Sequence, residues 1–185
     1  MNFSTRPDRA PIIELPGLLQ KGDPLPGQKN ILWRALATLK HAYALLVFET
    51  PARWSGMDRL IKRLEDSGQS LEKHLAKVSG RAANREILVH MLRIERSGQR
   101  RLCVALGEPL CEDLDDTRPL AQNWPLLVEA YKRARKETIS LCKSIRMARI
   151  DPKTRIPHQQ YGDISLLGWL YYLHLYAAVE SMRIY

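Results

Sequence analysis

Cysteine is scarce in this chain, and its placement suits no paired-thiol chemistry. There are three in 185 residues, Cys103, Cys111 and Cys142, an odd number with no CxxC spacing. That excludes a disulfide-stapled fold and a paired-thiolate zinc site, and it suits a reducing cytoplasm. No His stands at a telling spacing from any of the three, so buried or idle thiols are expected. Long apolar runs are missing as well. The opening MNFSTRPDRAPIIELPGLL has no continuous apolar stretch after its basic residues, unlike a secretory signal. The most apolar segment, Ile164 to Val179, is interrupted by Ser165, Gly168 and His174. It falls short of the roughly 20 apolar residues that a membrane span needs. No Walker loop, GxGxxG, GxSxG, HExxH or EF-hand spacing is present, which removes the commonest phosphate, dinucleotide, esterase and metalloprotease readings. Alternating strand patterns, hairpin signals and internal repeats are absent too.

What is present reads as helix. Residues 1–27 carry five Pro (Pro7, Pro11, Pro16, Pro24, Pro26), and this arm is not helical. Its Ile12, Ile13, Leu15 and Leu18 are expected to pack on the domain as a strap. Lys29 to Glu49 follows, with Leu32, Leu36, Leu39, Tyr43 and Leu46 at spacings of three and four and Pro51 as a stop. The next segment, Met57 to Val78, repeats the pattern with Leu60, Leu64, Leu71, Leu75 and Val78. Ser55 or Asp58 would cap it, and Gly68 allows a kink. Arg81 to Leu106 places Ile87, His90, Met91, Ile94, Gly98, Leu102 and Ala105 on one face. A fourth helix starts near Ala121 or Pro125 and runs to about Ile145, with Leu127, Ala130, Ala134, Ile139, Leu141 and Cys142 apolar. A loop from Arg146 to Gly162 leads to the terminal helix. The organisation is an all-α bundle over 57–185, preceded by a Pro-rich arm and an extra helix over 1–56.

Two polar side chains break these apolar faces. On the terminal helix, Trp169, Leu173, Tyr176, Glu180 and Ile184 fall on one stripe, and a carboxylate there requires a partner such as Arg, His or a metal. His174 points to a different side. On the Arg81–Leu106 segment His90 interrupts Ile87, Met91 and Ile94. It is either a hydrogen-bonded core histidine or a group facing Glu180 across the bundle.

The stretch HMLRIERSGQRRLCVALGEP (His90 to Pro109), followed by IPHQQYGDISLLGWLYYLHLYAAVESMRI (Ile156 to Ile184), resembles the DinB-like (DinB/YfiT-type) superfamily. The likeness covers about Met57 to Tyr185. It implies a DinB-like up-down four-helix bundle with its cleft between the third and last helices. It also implies a divalent metal (Zn, Ni or Mn) or, in a degenerate member, none. The activity implied is that of a thiol-dependent transferase, an isomerase or a hydrolase. Members hold metal with one mid-chain His and an HxxxH pair on the last helix. His90 matches the first, whereas Tyr176 and Glu180 stand where the pair would be. The candidate metal residues are therefore His90, Glu180 and Tyr176, with two departures from the pattern. A neutral phenol, with its ordinary pKa of about 10, is a poor ligand. His158, in the loop before the terminal helix, is a further candidate for the same end of the bundle.

The charge supplies an alternative. The formal net charge is +9, and Tyr131 to Arg155 holds nine Lys or Arg against Glu137 and Asp151. A non-catalytic interaction protein could use this stretch toward nucleic acid or an acidic partner. Tyr131 is its only aromatic, which is weak for base stacking. The acidic run Glu108 to Asp116 could equally neutralise it within the molecule. The apolar last helix also suits pairing in a homodimer.

Overall fold

In the computed structural model, which describes residues 38–40, 42–109 and 122–185, the chain is predominantly helical. A π-helical turn, Leu45–Glu49, leads into α1 (Thr50–Leu75), followed by α2 (Ala82–Val104) and α3 (Trp124–Met147). A short hairpin, β1 (Arg155–His158) and β2 (Gly162–Ser165), then precedes α4 (Leu166–Ser181). The Pro-rich arm, its expected apolar strap and most of the acidic run lie outside the described residues. All described residues belong to one compact unit. No described helix is long and apolar enough to cross a membrane.

The entry into α1 departs from expectation. Pro51 does not stop the helix. The π turn carries the Thr50 N–H to the Leu45 carbonyl, and Pro51 then sits in the first turn of α1, where a missing N–H is harmless. The break comes instead at Gly56 (φ 71°, ψ 169°), a conformation essentially reserved for glycine. Ser55 therefore does not cap; its hydroxyl donates to the Pro51 carbonyl. The buried face of this segment is Ala44, Phe48 and Ala52, while Leu39, Tyr43 and Leu46 are exposed. Gly68 produces no kink. A Cβ there would stand 3.0 Å from Arg135 Cγ, so glycine serves close packing of α1 on α3.

Around the bundle α1 packs chiefly on α4, and α2 chiefly on α3. Contacts of α1 with α3 and of α2 with α4 close the ring. Asn123 caps α3 by accepting from the Leu126 N–H, and Ser165 caps α4 by accepting from Gly168. The hairpin was not anticipated. Its strands are four residues each and antiparallel, with Ile156 paired to Ile164 and both buried.

The interior has two apolar parts. Phe48, Leu60, Leu64, Leu102, Ile145, Ile156, Ile164 and Leu170 form the part at the hairpin end. Leu71, Leu75, Leu88, Leu92, Leu127, Val128 and Ala177 form the other. Between them each helix contributes a small or polar residue: Gly68, Glu95, Arg135 with Thr138, and His174. Arg135 Nη2 meets Glu95 Oε2 at 3.0 Å with both side chains buried, and it donates to the Tyr131 hydroxyl at 2.9 Å. Gln99 Nε2 donates to the Ala134 carbonyl and to Thr138 Oγ1.

Candidate functional site

The setting of α4 determines what its side chains can reach. Ser165 ends β2 and begins the helix, and its N–H and Oγ donate to the two carboxylate oxygens of Glu49, at 2.6 and 2.7 Å. Arg155 Nη1 meets the same carboxylate at 3.0 Å. Glu49 is 1% exposed. An anion at a helix N-terminus, held by charge-assisted bonds, is a strong anchor. One turn on, Trp169 Nε1 donates to the Ile156 carbonyl. The α2–α4 seam is tight at Gly98, where a Cβ would lie 2.7 Å from Leu173.

With α4 so placed, the three candidates gather on that seam. The His90 ring stands edge-on to Tyr176, with centroids 5.5 Å apart. Burial lowers the His90 pKa, Glu180 pulls it back up, and Arg93 and Arg183 lower it further, so the imidazole is neutral near pH 7. Neither of its nitrogens is hydrogen-bonded among the described residues. Burial, then the Glu180 charge, holds the Tyr176 phenol well above its ordinary range and therefore protonated. Its hydroxyl is buried with no bond of good geometry, and among the described residues Glu180 is the one group near enough to accept from it as well as to raise its pKa by charge. Glu180 is buried, and Arg183 Nη1 donates to its Oε2 at 2.7 Å. The partner that a buried carboxylate requires is thus an arginine in the turn just beyond the end of the same helix.

This donor set fits a divalent cation poorly. The carboxylate is engaged by a guanidinium, and the phenol is driven away from tyrosinate, the form that would bind metal. His90 alone offers a ready lone pair. Among the described residues no group of three or more His, Cys, Asp or Glu is placed to hold a metal ion.

His158 goes elsewhere. It is buried at the hairpin end among Tyr161, Trp169 and Tyr172, with ring centroids 4.7 to 4.8 Å away. Its Nδ1 accepts from the Gln160 N–H. Burial and then Arg101 push its pKa down to about 4. Tyr172 also meets Tyr176 at 5.7 Å, so rings run without a gap from His158 through Tyr172 and Tyr176 to His90. His174 lies off this path, its Nδ1 buried without a partner and its pKa lowered by burial, Arg63 and Arg135. Cys142 is buried, its thiol pushed up to about 12 by burial and then by Glu95. Cys111 lies outside the described residues.

The basic stretch is largely neutralised by carboxylates other than the acidic run. Lys132 pairs with Glu72 and Glu129, Arg135 with Glu95, Lys143 with Glu65, Arg146 with Asp58, and Arg155 with Glu49. Sequence reasoning missed Glu49, Glu95 and Arg135. Glu95 had a readable signal, since it interrupts the buried series Leu88, Met91, Leu92 and Leu102 just as Glu180 interrupts its own stripe. No family model, curated protein or solved structure matches this chain.

Proposed function

We propose that the chain is a degenerate bundle of the DinB-like type. In this reading the family's three-histidine metal position, in the cleft between α2 and α4, has become a metal-free hydrogen-bonding site for a small molecule. The ligand class is one carrying an acceptor oxygen, such as a carbonyl. The observation that carries the reading is the buried Tyr176 hydroxyl, which makes no bond of good geometry and has only the Arg183-engaged Glu180 near it, beside the neutral His90. A buried hydroxyl left unsatisfied costs about 1–3 kcal/mol, which a ligand acceptor would recover. His90 is then the group able to take a proton from the ligand, and Glu180, engaged by Arg183, supplies a fixed negative charge behind them.

Two measurements test this. Elemental analysis after reconstitution with Zn, Ni or Mn should find no stoichiometric metal that His90→Ala removes; finding one overturns the metal-free reading. A thermal-shift screen of small carbonyl compounds should yield ligands that stabilise the wild type and lose their effect in Tyr176→Phe. Ligands unaffected by Tyr176→Phe and His90→Ala would place the binding site elsewhere. The alternative interaction role through the basic stretch is weaker, because most of its charges already have partners.

A further inference from the structure

On the opposite flank of the bundle, α1 and α3 leave a cleft of about 400 Å³. That volume lies within the range of roughly 300–1,000 Å³ typical of small-molecule sites. Two ion pairs cross between the helices, Glu65 with Lys143 and Glu72 with Lys132, and all four residues line the cleft. Between them α1 presents Gly68 and Gln69, and α3 presents Tyr131, Arg135, Lys136, Ile139 and Ser140. At Gly68 the stem of Arg135 packs directly on the α1 backbone and forms part of the cleft wall.

The charges do not cancel here. Lys132, Lys143 and Arg135 have carboxylate partners, whereas Lys136, also in the lining, has none among the described residues. Nor do Ser140 and Gln69 make hydrogen bonds among the described residues. Arg135 is 3% exposed, and Glu95 and Tyr131 occupy only its Nη2. Its Nε and Nη1 are buried without partners. These two nitrogens carry three N–H donors, and a buried cation so incompletely satisfied adds an uncancelled positive field to the cleft.

We infer that this cleft binds a small organic anion. Its carboxylate or phosphate pairs with Lys136, drawn also by the buried Arg135 charge behind the wall, and its body rests on Tyr131 and Ile139. The site is separate from the α2–α4 seam and stands or falls independently of the function proposed there.

Calorimetric titration of the full chain with benzoate and with inorganic phosphate tests it. Saturable binding of either probe, weakened roughly tenfold in Lys136→Ala, is the expected result. Arg149→Ala, which removes an exposed positive charge outside the cleft, should bind as the wild type does. Lys136 is exposed, so its removal should leave the melting temperature unchanged and the comparison interpretable. Preference between the probes identifies the head group. Absence of saturable binding by both probes, or equal weakening in Arg149→Ala, overturns the inference.

Discussion

Replacing Glu95 by Leu should be among the most damaging single changes in this chain, and adding Arg135→Met should largely undo the damage. At 3.0 Å and an effective dielectric of about 20, the pair attracts by about 5–6 kcal/mol. Burying the two charges costs several kcal/mol each, so the intact pair contributes close to nothing net. Burial opposes the Arg135 charge, but Glu95 and then Tyr131 outweigh it and hold the pKa above the ordinary arginine value. Glu95→Leu leaves that cation buried with only the Tyr131 hydroxyl, and the expected loss is about 3–5 kcal/mol. For a domain of this size that corresponds to a fall in Tm of roughly 6–20 °C. Arg135→Met alone should lose a similar amount, and the double variant should return to within about 1 kcal/mol of wild type, giving a coupling energy of at least about 5 kcal/mol. Urea unfolding followed by circular dichroism measures all four species. Because the pair is shielded from solvent, added salt should change the result little. Single variants within 1 kcal/mol of wild type, or strictly additive losses, would refute the polar layer.

Two further outcomes follow from the buried titratable groups. The folded His158 pKa, about 4, lies below the ordinary 6.5, so the unfolded chain binds the extra proton between those values and stability falls as pH drops from 6.5 to 4. His158→Phe should remove up to about 3 kcal/mol of that acid slope, with His90 and His174 contributing equally to both proteins; identical slopes would show that His158 is accessible to protonation when folded. Cys142, buried with its thiol pushed up to about 12, should resist maleimide at pH 8 until urea is added, as read by peptide mass spectrometry; rapid native labelling would contradict its placement.

Helical segments were legible because their apolar residues recur at helical spacing, and α2 and α3 end within a few residues of the expected bounds. The hairpin was not, because four-residue strands joined through Gln159, Gln160 and Tyr161 carry no alternation long enough to register. The first segment misled in a different way. Three residues of its expected stripe, Leu39, Tyr43 and Leu46, face outward, while Ala44, Phe48 and Glu49 turn inward. Periodicity alone cannot choose between two faces that both contain apolar residues. The site stripe Trp169, Leu173, Tyr176, Glu180 was readable because one carboxylate marked it. Glu49 left no such mark, for its partners lie more than a hundred residues away and are brought to it only by the hairpin.

That distance bears on how α4 is oriented. Apolar nearly all round, α4 gains almost as much burial in one rotation as in another, so the hydrophobic effect alone does not choose which face meets α2. Specific contacts must make the choice: the bonds of Glu49 with Ser165 and Trp169 with Ile156, and the close fit of Leu173 at Gly98. Glu180 lies about 20 Å along the helix from the Glu49 clamp. Glu49→Gln keeps the shape but removes the charge from three donors, with an expected loss of about 2–4 kcal/mol. If the clamp sets the rotation, the seam should loosen as well, and the His90 titration followed by imidazole NMR should move up toward 6.5 as burial is relieved. Loss of stability with an unchanged His90 titration would show that Leu173 and its neighbours orient α4 by themselves. In that case the contact between His90 and Tyr176 owes nothing to the Glu49 clamp.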